Sequence, residues 1–379
     1  MTTNRGPLTG VRVLEMAAIG PVPFAGMVLA DLGADVVRVD RPDEGEALPG
    51  VGRGADVLGR GKRSMTVDLK HPEGPGVVLE LARSADVLLE GLRPGVMERL
   101  GVGPDECLAA NERLVYGRMT GFGQDGPLAN EAGHDINYIA VAGVLARIGR
   151  PGQAPVPPLN LVGDFGGGAM FLVSGVLAAL VERAVSGKGQ VVDAAMVDGA
   201  ALLTAGTFSG APQPPRGEGV LDGGGPFYDA YETADGRFLS VGPIEPRFWR
   251  NFVTGLGIDP ATISQDRAGW PDAKARVAAA IKTRTRDEWT AVFAGADACV
   301  APVLDPGELF DHPHHKARSA FVEVDGVLQP APAPRFSRTE AGLPGGAPSR
   351  GADTDAVLAA AGFGPERVAE LRRLGAIGG

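Results

Sequence analysis

The chain has 379 residues, 44% of them apolar, and a formal net charge of −10. That length allows two domains, or one large α/β domain with a smaller companion, and the apolar share supports a buried core. The negative balance argues against broad binding to nucleic acid or to an anionic membrane surface. No run of about 18 uncharged apolar residues is present, so no membrane helix is expected, and the polar start Met1-Thr2-Thr3-Asn4-Arg5-Gly6-Pro7 has no apolar signal core. Two cysteines, Cys107 and Cys299, stand far apart; Cys107 reads as core, a disulfide is not expected, and the reading is a reducing cytoplasm.

Residues 11–15 read as a strand and 16–23 as a loop carrying Gly20, Pro21 and Pro23. Residues 24–32 read as an apolar helix closed by Gly33 at the left-handed C-cap, and 34–40 as a buried, β-branched strand. Further strands are expected at 64–68, 86–90 and 114–119, with helices over 71–84, 95–100 and 104–111. This alternation predicts a parallel, doubly wound sheet. A long apolar helix over 168–186 turns through Gly187-Lys188-Gly189-Gln190 into a strand at 191–195. Residues 1–200 are thus a large α/β domain.

Residues 201–226, rich in Gly and Pro, read as a linker. A small α+β domain over 227–308 follows. It opens with a hairpin (227–233 and 237–241) around Ala234-Asp235-Gly236, then helices over 246–256, 273–283 and 286–294. The last helix starts with Thr285-Arg286-Asp287-Glu288, a capping-box pattern. Residues 309–350 read as a second linker returning to the large domain, and 351–379 as a helical segment broken around Gly362 and Gly364. Two long linkers are unusual in a compact monomer. They predict a chain that wraps around another copy of itself.

The candidate chemistry centres on His134 and Asp164. His134 sits in a Gly-bounded turn, Gly133-His134-Asp135, ahead of an apolar stretch; Asp164 lies in Leu161-Val162-Gly163-Asp164-Phe165-Gly166-Gly167-Gly168. An imidazole and a carboxylate on separate loops suit moving a proton off one face of a carbon and onto the other. The plain alternative for Asp164 is a helix-capping carboxylate, and for Gly166-Gly167-Gly168 tight helix packing; no Gly-Lys-Ser/Thr follows, which excludes a P-loop. The first βα turn lacks dinucleotide-binding glycine spacing. Asp311-His312-Pro313-His314-His315 reads as a surface loop rather than a metal tract, for want of a matched carboxylate or cysteine. Glu245 precedes a helix and reads, on its own, as a carboxylate favoured by the helix dipole. Arg60, Lys62, Arg63 and Lys70, with Arg38, Arg93 and Arg99 nearby in sequence, are either a polyanion site or a solvated face.

Several segments together resemble the family III CoA-transferase superfamily and, within it, the α-methylacyl-CoA racemases. They are Val13-Leu14-Glu15-Met16-Ala17, residues 31–42, Arg93-Pro94-Gly95-Val96, Gly133-His134-Asp135-Ile136-Asn137-Tyr138, residues 157–164, residues 193–199 and Pro334-Arg335-Phe336-Ser337. The resemblance covers nearly the whole chain and is weakest over 343–379. It implies a Rossmann-like domain plus a small domain in an interlocked homodimer whose active site is shared between subunits. His134 and Asp164 would flank the reacting carbon, the small-domain Glu245 would partner the histidine, and Asp135 stands beside it. Arg38, Val67, Asp68, Leu69, Lys70, Gly91, Leu92, Arg93, Arg99, Gly133, Ile136, Asn137 and Tyr138 match positions that hold the CoA-bearing substrate, which favours binding for the basic cluster. The implied reaction interconverts (2R)- and (2S)-2-methylacyl-CoA through an enolate, with no metal or redox cofactor and with CoA entering as part of the substrate. A backbone amide near Asp135 would face the thioester oxygen, and Met170 and Met196 would line the acyl pocket. The rival implied by the same resemblance is a CoA-transferase with Asp164 as nucleophile.

Overall fold

The computed structural model describes residues 5–42, 55–208, 210 and 212–378. It divides into two compact units, one formed by Met1–Ala142, Leu159–Ala205 and Ala317–Gly379, the other by Gly143–Pro158 and Gly206–Lys316.

The first unit is built on six strands: β1 (Arg12–Met16), β2 (Asp35–Asp40), β3 (Arg63–Thr66), β4 (Val87–Glu90), β5 (Val115–Thr120) and β6 (Gln190–Ala195). All neighbours pair in parallel, in the order β3-β2-β1-β4-β5-β6. Both faces are covered over the central strands, so β4 and β5 are buried along their whole length rather than on alternate residues. Leu14, Leu88 and Tyr116 point into one core, while Val13, Val87 and Val115, one residue earlier on each strand, point into the other. Helices α1 (Pro21–Asp31), α2 (Gly74–Ala82), α3 (Val96–Arg99), α4 (Pro104–Ala110) and α5 (Asp135–Val141) connect or cover the sheet.

A π-helix over Leu161–Ala169 then runs directly into α6 (Met170–Ser186), and β6 leads into α7 (Met196–Leu202). The sequence reading starts one α-helix at Gly168 and misses the π segment. The 26-residue stretch Leu161–Ser186 is, by length and composition only, long and apolar enough to cross a membrane, with an 18-residue window of mean hydropathy 1.7. Its Leu172, Val173, Val176 and Ala179 are buried in the core beside the sheet, the packing of a covering helix. The glycines of this stretch are packing residues: a Cβ on Gly199 of α7 would stand 1.8 Å from the Gly167 carbonyl oxygen, so only glycine lets the two helices touch backbone to backbone.

The second unit carries an antiparallel sheet of β7 (Asp229–Glu232), β8 (Phe238–Val241) and β9 (Val300–Pro302), with α8 (Pro246–Gly255), α9 (Trp270–Ile281), α10 (Arg286–Phe293) and the short α11 (Pro313–Ala317). All three tryptophans of the chain, Trp249, Trp270 and Trp289, are buried here with Phe227, Phe252 and Phe293. The predicted capping box forms: Thr285 N–H donates to Glu288 Oε2 at 2.8 Å and Glu288 N–H to Thr285 Oγ1 at 3.3 Å.

Two boundaries differ from the sequence reading. Residues 143–158 group with the second unit, because Arg150 pairs with Asp229 at 2.7 Å and Arg216 donates to the carbonyl of Ala146 at 2.9 Å and to that of Gln153. The returning linker is not all irregular. His314 and His315 lie on α11, and β10 (Phe321–Val324) and β11 (Val327–Pro330) form a hairpin in the first unit. Its turn is Asp325-Gly326, both with positive φ, a hairpin signal the sequence reading passes over. The chain ends in α12 (Thr354–Ala360) and α13 (Pro365–Leu374), whose Val357, Leu358, Val368 and Leu371 join the core beside Leu88. Asp353 N–H donates to the Ser64 carbonyl at 2.8 Å and Asp353 Oδ2 accepts from Ser64 N–H at 2.9 Å, so the tail covers the otherwise open β3 edge.

Candidate active site

Strand order reverses between β1 and β4, and in open α/β sheets ligands settle at the carboxyl ends of the strands at that point. Two cavities lie there. The first, of about 480 Å³, is lined by the β1–α1 loop (Ile19, Gly20), the loop after β4 (Gly91, Leu92, Arg93), the loop after β5, and both His134 and Asp164. The second, of about 490 Å³, is lined by Arg41 and Pro42 after β2, by Val67, Asp68, Leu69 and Lys70 after β3, and by Val96 and Leu100. Leu92 belongs to both walls.

His134 is placed by what precedes and follows it. It is the N-cap of α5 in an extended conformation; its N–H donates to Asn137 Oδ1 at 3.1 Å and its carbonyl accepts from Asn137 N–H at 2.8 Å. Tyr138 locks the turn. Its ring stacks edge-on against Phe122 at 5.0 Å, its hydroxyl donates to the Gly133 carbonyl, and a Cβ on Gly121 or Gly133 would stand 2.1 or 2.8 Å from that ring. The imidazole is left exposed at the cavity.

Asp164 is held from the opposite side. Phe165 stacks on Phe24 of α1 at 4.5 Å, and a Cβ on Gly20 would lie 3.1 Å from Asp164 Oδ2, so the first turn of α1 sits directly against the carboxylate. Asp135, almost wholly buried, accepts the N–H of Gly163 at 2.6 Å and of Asp164 at 2.7 Å on one oxygen. It therefore positions Asp164 rather than facing the cavity. The capping alternative for Asp164 fails: its carboxylate accepts from Asn160 Nδ2 at 3.2 Å, and the helix start has no side-chain cap. Burial raises the Asp164 pKa above the ordinary carboxylate range; the Asn160 hydrogen bond opposes this, the Asp135 charge adds to it, and His134 opposes it. A carboxyl shifted upward by burial in a cavity it shares with an imidazole marks a candidate functional site.

The basic cluster separates. Lys62 is fully buried on Glu15 at 2.6 Å, Arg60 is buried on Asp31 at 2.5 Å, and Arg63 pairs with Asp35 at 2.6 Å. Arg38 is mostly buried between Asp40 at 2.9 Å and Asp56 at 2.8 Å, outside both cavities. Each of these four is engaged by carboxylates of the chain itself, a pairing the sequence does not display. Arg99 and Ile136 are exposed and line neither cavity. Arg93, Gly133, Asn137, Tyr138 and Met196 do line the first, while Met170 lies outside it. Glu245, in the second unit, is the exposed N-cap of α8 and makes no side-chain cap bond, so its carboxylate is not spent on its own helix. The sequence reading missed Asn160 and Glu131 at the first cavity, whereas Arg41, in the second, lies within the 31–42 segment that carries the resemblance. Only Asn160, four residues before Asp164, carried a local signal.

The fold is a doubly wound α/β sheet, and the cavity at its carboxyl edge brings an imidazole and a carboxylate together. The chain belongs to CoA-transferase family III, whose family model matches residues 8–354. It is 46% identical over 374 residues to the alpha-methylacyl-CoA racemase of Mus musculus, and 44% identical over 377 residues to that of Homo sapiens, each match covering 96% of both chains. Among solved structures it resembles a CAIB/BAIF family protein from Brucella suis, with TM-score 0.82 and 28% identity over 94% of this chain and all of that one.

Proposed function

We infer that this chain is an α-methylacyl-CoA racemase, interconverting (2R)- and (2S)-2-methylacyl-CoA. The observation that carries the reading is that His134 and Asp164 come from separate elements yet line one cavity. One of them removes the α-proton, leaving an enolate with charge on the thioester oxygen. The other returns a proton to the opposite face, so each residue ends a turnover in the protonation state from which the reverse reaction starts. Asp164, raised by burial, is suited to holding a proton as well as to taking one. Positioned acid–base groups supply about 10²- to 10⁴-fold, so the oxyanion needs further stabilisation. The N–H of Asp135, in the first turn of α5, is the donor we assign to it.

The acyl chain occupies the apolar part of the first cavity, beside Met119, Phe122 and Met196, and the CoA moiety extends past Leu92 to Arg41 and Lys70. We propose an interlocked homodimer in which Glu245 of a second copy partners His134. The exposed Leu202, Leu203, Val181 and Val185 support a face covered by another chain. No metal or redox cofactor enters this chemistry. The unpaired Cys107 and Cys299 support a reducing, cytoplasmic setting. Incubating one epimer of a 2-methylacyl-CoA in deuterated water tests the reading. Racemisation with α-deuterium uptake is expected; transfer of CoA to a free acid without exchange would instead make Asp164 a nucleophile and the protein a transferase.

A further inference from the structure

Glu90 ends β4 with its side chain wholly buried, and its Oε2 accepts the N–H of Leu92 at 2.7 Å. That bond shapes the turn Gly91-Leu92-Arg93, which supplies the wall shared by the two cavities. The turn is pressed onto α1, since a Cβ on Gly91 would stand 2.7 Å from Val22. A buried carboxylate at a loop is costly unless an opposite charge is fixed beside it. Arg118, on β5, provides that charge: its Nε donates to Glu90 Oε1 at 3.0 Å and its Nη1 meets Glu98 Oε1 at 2.9 Å. Glu98 lies on α3, between Val96 and Leu100 of the second cavity. Arg118 as a whole is only 7% exposed, and its Nη2 is buried with no hydrogen-bond partner among the described residues. A cation kept in the interior with an incomplete set of bonds is retained against stability, as happens at functional sites.

We propose that Arg118 is a positioning residue for substrate binding: one planar fork, anchored on the sheet, holds both the Leu92 turn and α3 where the CoA thioester passes between the cavities. The assignment rests on the acyl-CoA reading above. A lysine cannot replace it, because a single ammonium does not span two carboxylates with fixed geometry.

The test measures KM and kcat for racemisation, Kd for free CoA by calorimetry, and the thermal midpoint, in Arg118→Gln, Arg118→Lys and Glu98→Gln. Arg118→Gln should raise KM and the CoA Kd about tenfold while kcat at saturation stays within about threefold. Arg118→Lys should recover less than half of that loss on a logarithmic scale. Glu98 is 41% exposed, so Glu98→Gln should fold as the wild type does and still raise KM and Kd, by about two- to threefold. If Arg118→Gln fails to fold, Glu98→Gln decides. A lowered thermal midpoint with unchanged KM and Kd, a loss confined to kcat, or full rescue by lysine overturns the assignment. Absence of CoA binding by the wild type overturns the acyl-CoA reading instead, and this assignment with it.

Discussion

Replacing Asp135 tests how the site is held. One oxygen of this buried carboxylate accepts two N–H groups, from Gly163 and Asp164, at 2.6 and 2.7 Å; the other is buried without a partner among the described residues. Hydrogen bonds to a charged group contribute about 1.5–3 kcal/mol each. Asp135→Ala removes both and leaves two donors unsatisfied, but it also relieves the cost of burying the charge. The expected net loss is about 3 kcal/mol of stability. Asp135→Asn keeps an oxygen for both donors but loses the charge and places an NH2 where the unpartnered oxygen lies, so about 1–2 kcal/mol is expected. The effect on activity should be larger than on stability. Asp164 is tethered through its own N–H, and a misplacement of about 1 Å costs about 10²-fold in rate. Thermal unfolding with kcat from α-deuterium exchange is the assay. The alanine variant should lose about a hundredfold in kcat with KM within twofold, and the asparagine variant about tenfold. Wild-type kcat in a destabilised alanine variant would refute the claim that Asp135 aims Asp164.

Burial raises the Asp164 pKa above its ordinary 3.8, so the folded protein binds more protons than the unfolded chain across that window and stability falls as pH rises through it. Asp164→Asn should therefore melt above wild type at pH 7 and lose that advantage below about pH 4, as thermal scans against pH will show. Lys62→Met strands Glu15, which burial already pushes up to about 7, and should cost about 3–5 kcal/mol; a double-mutant cycle with Glu15→Gln should recover most of it in denaturant titrations. Gly199→Ala forces a Cβ to 1.8 Å from the Gly167 carbonyl oxygen, so a stability loss of about 3 kcal/mol or failure to fold is expected by denaturant titration. In the proposed homodimer, co-refolding inactive His134→Ala chains with Glu245→Gln chains should restore about a quarter of wild-type activity, from mixed dimers with one intact site; no restoration contradicts the shared site.

The large unit was legible because its strands are short, β-branched and separated by helical patterns, and because a doubly wound sheet leaves few topologies to choose from. The π-helix was not: its i→i+5 bonding leaves no periodicity in so glycine-rich a stretch, and the side chain that satisfies its amides, Asp135, is 28 residues away. His134 and Asp164 were legible from their glycine settings and from the family resemblance. The pairings of the basic cluster were not legible, because sequence gives the sign of a charge but not its neighbour. Arg60, Lys62 and Arg63 take their carboxylates from Asp31, Glu15 and Asp35, on elements that only the fold brings alongside. Arg118 was unremarkable in sequence for the same reason. Residues 143–158 were assigned by chain continuity, whereas their ion pairs and hydrogen bonds lie with the second unit.

The central claim is that His134 and Asp164 serve opposite faces of one carbon. Each epimer of a 2-methylacyl-CoA should be incubated separately in deuterated water with His134→Ala and with Asp164→Ala, following α-deuterium uptake and inversion independently. Neither variant should invert its substrate, and the residual exchange should belong to opposite epimers in the two variants. Exchange of the same epimer by both, or inversion by either at the wild-type rate, would contradict the account.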